Sequence, residues 1–368
     1  MQVHKGLEGV VADTSAVSLV DGQAGELSYR GYTIGSLIRQ PFAPVASLVA
    51  LDRYDPDFGA RLTAASVLSP RETDMVLAVP ESTHPMHVLQ GLTPLLDTGD
   101  GFAELGDAAQ GFVVAARLPA LVATHFRREP VTESAPGDPI GQFLTQIRAP
   151  ETAAVRRAFE VAQILQLEHG FNAGTFTARV VASTLAPVEN ALSAAYGALH
   201  GVLHGGADQA ALETADAVGS PDRAAAFVDD CLATGRRVMG MGHREYKVVD
   251  PRARHLKVLA EALSVGTAHE RTFRTLEAIE RRFTERMAEQ GKSLYANVEF
   301  YKGLVFRALG LPPRFFTALF AMARTFGYLA HFIECRADNR IVRPQALYTG
   351  PAVRAFGTVA APVESTRG

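Results

Sequence analysis

Three histidines in this chain stand beside glycine, in Glu168-His169-Gly170-Phe171-Asn172, Leu203-His204-Gly205-Gly206 and Met239-Gly240-Met241-Gly242-His243-Arg244. Removing side chains next to an imidazole lets backbone or a ligand approach a ring that exchanges protons near neutral pH. One such pair reads equally well as a loop histidine satisfied by backbone; three in one chain point to a site. Arginines are the second theme. Arg244, Arg252 and Arg343 each read alone as solvated or ion-paired groups. Arg324 differs, because it interrupts the apolar segment 315–332, where an uncompensated charge is costly to bury. It calls for an anionic partner, and a guanidinium fork suits a dicarboxylate or a phosphate. The third element is Glu299 in Tyr295-Ala296-Asn297-Val298-Glu299-Phe300-Tyr301. It is either a helix-start or surface carboxylate or, if enclosed by its apolar neighbours, a general base with a raised pKa.

Other chemistries find less support. His200 and His204 have zinc-ligand spacing, but Gly201 replaces the glutamate of the H-E-x-x-H pattern, and no metal is expected. Gly235, Gly240 and Gly242 do not make a dinucleotide fingerprint, and no phosphate-binding G-x-x-x-x-G-K-[ST] loop is present. Cys231 and Cys335 are too few for a disulfide framework and read as buried thiols.

The elements that must position these groups are mainly helices. Apolar residues recur at helical spacing over 107–127, 151–169, 188–199, 221–234, 252–263, 270–290 and 312–334, with Pro221 and Pro312 suited to helix starts. An N-terminal hairpin is predicted, with strands over 15–21 and 26–30 around Gly22-Gln23-Ala24-Gly25. Alanine-rich helices such as the one over 188–199 suit close helix-helix contacts. The 368 residues are 47% apolar and 20% charged, which describes a folded globular protein. A net charge of -3 without a basic run offers nucleic acid no footprint. The most apolar stretches, such as 112–122 with Arg117 inside, fall short of the roughly 18 residues of a membrane span. The first residues lack a signal-peptide pattern, so a cytoplasmic protein is expected.

At these positions the sequence resembles the citrate synthase family. The matching motifs are His169-Gly-Phe-Asn-Ala173 with 175–184, Leu203-His-Gly-Gly-Ala207, Gly242-His-Arg244 with Tyr246-Lys247 and Asp250-Pro-Arg-Ala253, Asn297-Val298 with Phe300-Tyr301, and Arg343-Pro344. The resemblance implies a mainly α, two-domain homodimer. Residues 1–206 with 311–368 would form a large domain for dimerisation and oxaloacetate, and 207–310 a small domain that binds CoA and closes. The implied reaction condenses acetyl-CoA with oxaloacetate to citrate, or propionyl-CoA to 2-methylcitrate, without metal or redox cofactor. His204 would hydrogen-bond the thioester oxygen as the enol forms, His243 would polarise the ketone, and Glu299 would occupy the place of the base. His169, Arg252, Arg324 and Arg343 would hold the dicarboxylate, Arg343 in the neighbouring subunit's site. Arg244, Lys247 and Lys257 would lie near CoA.

The chain also departs from that family. Glu299 stands for Asp, Asp208 for Asn, Glu245 for Val, Val202 for Pro and Gln345 for Arg. An added methylene displaces the carboxylate by about 1 Å, enough to cost on the order of 10²-fold in rate. Glu245 and Asp208 add negative charge beside a site for anions. These substitutions leave open a second reading, a catalytically weak member acting as a ligand-binding protein, whereas the full set of histidines and arginines favours an enzyme.

Overall fold

Asp21 turns the N-terminal hairpin: its Oδ1 accepts from the backbone N–H groups of Gln23 and Ala24 at 2.9 and 2.8 Å. Strand β1 (Ser18–Asp21) pairs antiparallel with β2 (Glu26–Tyr29), Ser18 opposite Tyr29, as the sequence predicts. A short β3 (Tyr32–Thr33), not foreseen, extends the sheet on β2. The hairpin tip lies against the chain after His243. Gly22 sits so close to the Glu245 carbonyl that a Cβ would lie 2.2 Å from its oxygen, and its own carbonyl accepts from Lys247 N–H at 2.8 Å.

The computed structural model describes residues 3–202, 204–243 and 245–353. Residues 15–341 form one unit, with sixteen α-helices among those described. Residues 1–14 with 342–368 cluster as a second unit, whose described part contains the 3-10 turn Lys5–Leu7. The expected mainly helical architecture is therefore present.

The long helices Ala109–Arg127 and Phe316–Ala337 pack at the centre. Phe58 meets the rings of Phe102, Phe112 and Phe326 edge-on at 6.0 to 6.2 Å. By length and composition both long helices, with their preceding 3-10 turns, could cross a membrane, contrary to the expectation drawn from 112–122. The fold covers 61% of the relevant window in the earlier one and 94% in the later one, as in core helices. Helices Ala207–Val218, Pro221–Thr234, Pro251–Ser264, Glu270–Glu289 and Val298–Arg307 pack mainly on one another; Ala153–Leu165 contacts two of them from the remainder of the fold. The two cysteines are buried and unbridged, as predicted.

Candidate active site

Most of the singled-out side chains sit where helices begin. His169 precedes Asn172, the cap of Ala173–Ser183; His204 precedes the helix Ala207–Val218. Arg252 and Glu299 lie in the first turns of Pro251–Ser264 and Val298–Arg307. Their sequence explains these starts. Asn172, Asp250 and Asn297 each accept a backbone N–H of the following turn, at 3.1, 2.9 and 3.0 Å, and Pro251 fits the first helical position. Arg324 comes from the middle of Phe316–Ala337.

Around His243 the geometry assigns a tautomer. Its Nδ1 accepts from the N–H groups of Glu245 and Tyr246 at 3.0 and 3.2 Å, so the neutral ring carries its proton on Nε2. Arg252 Nη2 lies 3.5 Å from that Nε2, a proximity of charge rather than a hydrogen bond. Burial and Arg252 lower the His243 pKa against the opposing charges of Asp250 and Glu299. The ring of His169 stands 5.4 Å from that of His243, and its Nε2 is 3.2 Å from the Tyr246 hydroxyl. Burial, Arg252 and His243 hold His169 well below the ordinary imidazole pKa. Arg252, itself buried, is gripped by the two oxygens of Asp250.

His204 Nε2 is 3.1 Å from Asn172 Oδ1, an oxygen already identified as an acceptor by the Thr175 N–H. The His204 proton is therefore held on Nε2. Burial and Arg324 press its pKa down to about 4, with Glu299 opposing, so the ring is neutral at pH 7. Arg324 is 1% exposed, donates Nε–H to the Gln166 carbonyl at 2.7 Å and lies over the Phe320 ring at 4.8 Å. No ion pair to Arg324 is found among the described residues; the buried Glu168 carboxylate acts on it through charge without closing a salt bridge, which leaves its guanidinium fork free of a carboxylate among those residues. Glu299 is half-buried and faces His204, His243 and Arg252 through their charges. It is thus both the helix-start residue and a carboxylate near enough to act on both histidines through charge.

The other predicted residues fall elsewhere. Lys257 pairs with Glu280 at 2.7 Å, and Tyr301 donates its hydroxyl to the same carboxylate at 2.5 Å. Lys247 is exposed. Arg343 is an exposed residue of the second unit whose Nη1 donates to the Pro344 carbonyl. Arg244 and Leu203 lie outside the described residues. His200 joins His84 and His87, with ring centroids 4.4 and 4.7 Å away. Asp208 does not present a bare charge to the site: it is fully buried, its Oδ2 3.2 Å from the ammonium of equally buried Lys302.

Sequence reasoning missed Asn172 and Asp250 as organisers, although both precede helices in cap positions, and it missed the fully buried pair of Glu168 with His331 at 3.0 Å. Glu168 Oε1 also accepts from Ser18, whose oxygen accepts from Gly170 N–H, which fixes the loop after His169. Burial alone would raise the Glu168 pKa, but His331 and Arg324 leave it lowered.

Residues 6–345 match the family described as "Citrate synthase, C-terminal domain". The chain is 34% identical to a citrate synthase of Deinococcus radiodurans over 363 residues, 95% of this chain and 96% of the relative. It is 31% identical to 2-methylcitrate synthase 1 of Corynebacterium glutamicum, again over 95% and 96%. A solved ternary complex of carboxymethyl coenzyme A and oxaloacetate with citrate synthase from Thermoplasma acidophilum superposes with a TM-score of 0.89 at 26% identity, covering 97% of this chain and 99% of the other.

Proposed function

The chain belongs to the citrate synthase family, and on that premise we propose how its own residues divide the work. It is an acyltransferase that condenses acetyl-CoA with oxaloacetate to citrate and releases CoA. Arg324, buried and without an ion-pair partner among the described residues, carries the proposal: together with Arg252 and neutral His169 it forms the pocket for the dianion. His243 donates its Nε2–H to the ketone oxygen. Glu299 takes a proton from the carbon next to the thioester carbonyl while His204 turns its Nε2–H from Asn172 to the enol oxygen. The enol carbon then attacks the ketone carbon, the ketone oxygen stays on that carbon and takes the His243 proton to become a hydroxyl, and water cleaves the thioester to a carboxylate and free thiol.

Closure of residues 207–310 over residues 1–206 with 311–368 excludes water until the carbon-carbon bond has formed. The mutual packing of the helices between 207 and 307 supports this division. Lys247, Lys257 and Arg244 take the CoA phosphates, which requires Lys257 to exchange Glu280 for substrate. The working form is a cytoplasmic homodimer without metal or redox cofactor, Arg343 entering the partner's site. Thiol release from acetyl-CoA and propionyl-CoA, each with oxaloacetate, tests the function and ranks the acyl groups; no release from either removes it. Activity that persists in a monomer demonstrated by sedimentation removes the role of Arg343.

A further inference from the structure

Lys302 follows Glu299 by one helical turn and has no place in the chemistry above, yet it is 0% exposed. A buried ammonium needs compensation, and three groups surround it. Asp208 Oδ2 is 3.2 Å away, Gln166 Oε1 accepts its hydrogen bond at 3.0 Å, and the Phe320 ring centroid is at 4.3 Å. These groups come from three separate parts of the site. Asp208 opens the helix that begins just after His204. Gln166 stands three residues before His169, and its carbonyl is the acceptor for Arg324 Nε. Phe320 carries Arg324 over the same ring as Lys302, and its ring centroid is 6.4 Å from that of His204.

The neighbouring glycine allows this convergence. A Cβ on Gly303 would lie 2.9 Å from the Asp208 carbonyl oxygen and 3.1 Å from Leu212 Cβ, so only glycine lets Val298–Arg307 come so near Ala207–Val218. The pair also accounts for one departure from the family, since Asp208 in place of the usual Asn supplies the charge that Lys302 requires. Asp208 has no part in proton transfer in this arrangement: its Oδ1 accepts from Gln209 N–H at 2.8 Å and its other oxygen faces Lys302.

The geometry points to Lys302 as a positioning residue: clamped to Asp208 and Gln166, it fixes the rotation and depth of the helix that bears Glu299, and so sets the longer carboxylate toward His204, His243 and Arg252. This role rests on Glu299 being the base. Oxaloacetate binding depends on it less than turnover does, because Arg252 is held by Asp250, and Arg324, although it shares Gln166 and Phe320 with Lys302, is held by the Gln166 backbone carbonyl rather than its side chain.

The test is steady-state thiol release by Asp208→Asn, Lys302→Met and the double variant, with native protein in parallel and thermal melting to establish folding. Each single variant is expected to lose about 10- to 100-fold in kcat, as an ångström-scale displacement would cause, with the KM for oxaloacetate changed less than about threefold. The double variant is expected to recover part of the loss seen in Asp208→Asn, since it removes the uncompensated ammonium. A folded Asp208→Asn with native kcat overturns the positioning role even if Lys302→Met fails to fold. A loss confined to KM, or a double variant no better than Asp208→Asn, overturns it as well. Absence of thiol release from the native protein instead overturns the assignment of Glu299, and this role with it.

Discussion

Asp250 Oδ2 accepts the backbone N–H of Val298 at 3.1 Å, while the same carboxylate holds Arg252 at 2.8 Å. One buried group therefore ties the anion-binding arginine to the start of the helix that carries Glu299. Asp250→Asn keeps the shape and removes the charge opposite a buried guanidinium, a change that costs about 3–5 kcal/mol when such a pair is broken. We expect a markedly lower melting temperature together with a higher KM for oxaloacetate and a lower kcat. An unchanged KM in folded protein would show that the Asp250 anchor does not serve the anion site.

Arg324 should behave in the opposite way for stability. Its charge lies in an apolar helix without a described ion-pair partner, so Arg324→Met removes an unfavourable burial along with one hydrogen bond to Gln166; the charge it lends to buried Glu168 is lost too, but His331 still pairs with that carboxylate. The expected outcome is a melting temperature at least equal to native and an oxaloacetate affinity weaker by about 10²-fold, the worth of charge-assisted hydrogen bonds. Calorimetry showing native affinity would take Arg324 out of the site.

Much of this arrangement was open to reading from residue order, for particular reasons. Arg324 announced itself as a charge inside an apolar run, and Pro221 marked a helix start that the fold retains, whereas Pro312 precedes the 3-10 turn Pro313–Phe315 that leads into Phe316–Ala337. Lys302 likewise interrupts an apolar run, Phe300 to Phe306, but only the fold shows that Asp208 is its partner 94 positions away in the chain. The helix Phe42–Leu51 was not predicted because it is buried over nine consecutive residues and has no polar face to set a period. The pairing of Glu168 with His331 spans 163 positions, and no local pattern encodes it. Caps such as Asn172 and Asp250 were visible as types; their second duties, toward His204 and Val298, exist only in three dimensions.

Acid should destabilise the protein before it reaches the carboxylates. His204 and His84 are pressed from 6.5 to about 4, and His169 well below 6.5, in each case first by burial. A folded pKa below the unfolded one means that the unfolded chain binds more protons as pH falls, so stability is intact above about 6.5 and is lost on descent toward 4. His331, raised by Glu168 although burial opposes it, works in the other direction and offsets only part of this. Melting temperature should fall by roughly several degrees between pH 7 and pH 4.5. In His84→Gln, outside the catalytic groups, the decline should be shallower; an identical decline would assign the acid sensitivity to other groups.

Glu299 carries the sharpest prediction. Its backbone N–H is taken by the Asn297 cap, and its helix is held by Asp250 and Lys302, so the carboxylate starts from a fixed origin. Glu299→Gln preserves the shape and removes the base; turnover should drop by several orders of magnitude while calorimetric oxaloacetate affinity stays within about twofold. Glu299→Asp separates two ways of accommodating the extra methylene. If Lys302 and Asp208 have set the helix back to suit the longer arm, the shorter one falls about 1 Å short and kcat drops on the order of 10²-fold. We expect that drop, because the helix is anchored on both sides of Glu299 and cannot advance to compensate. A rise in kcat on shortening would mean that native Glu299 is a misplaced base, and equal turnover in native and Glu299→Gln protein would pass the proton abstraction to another group.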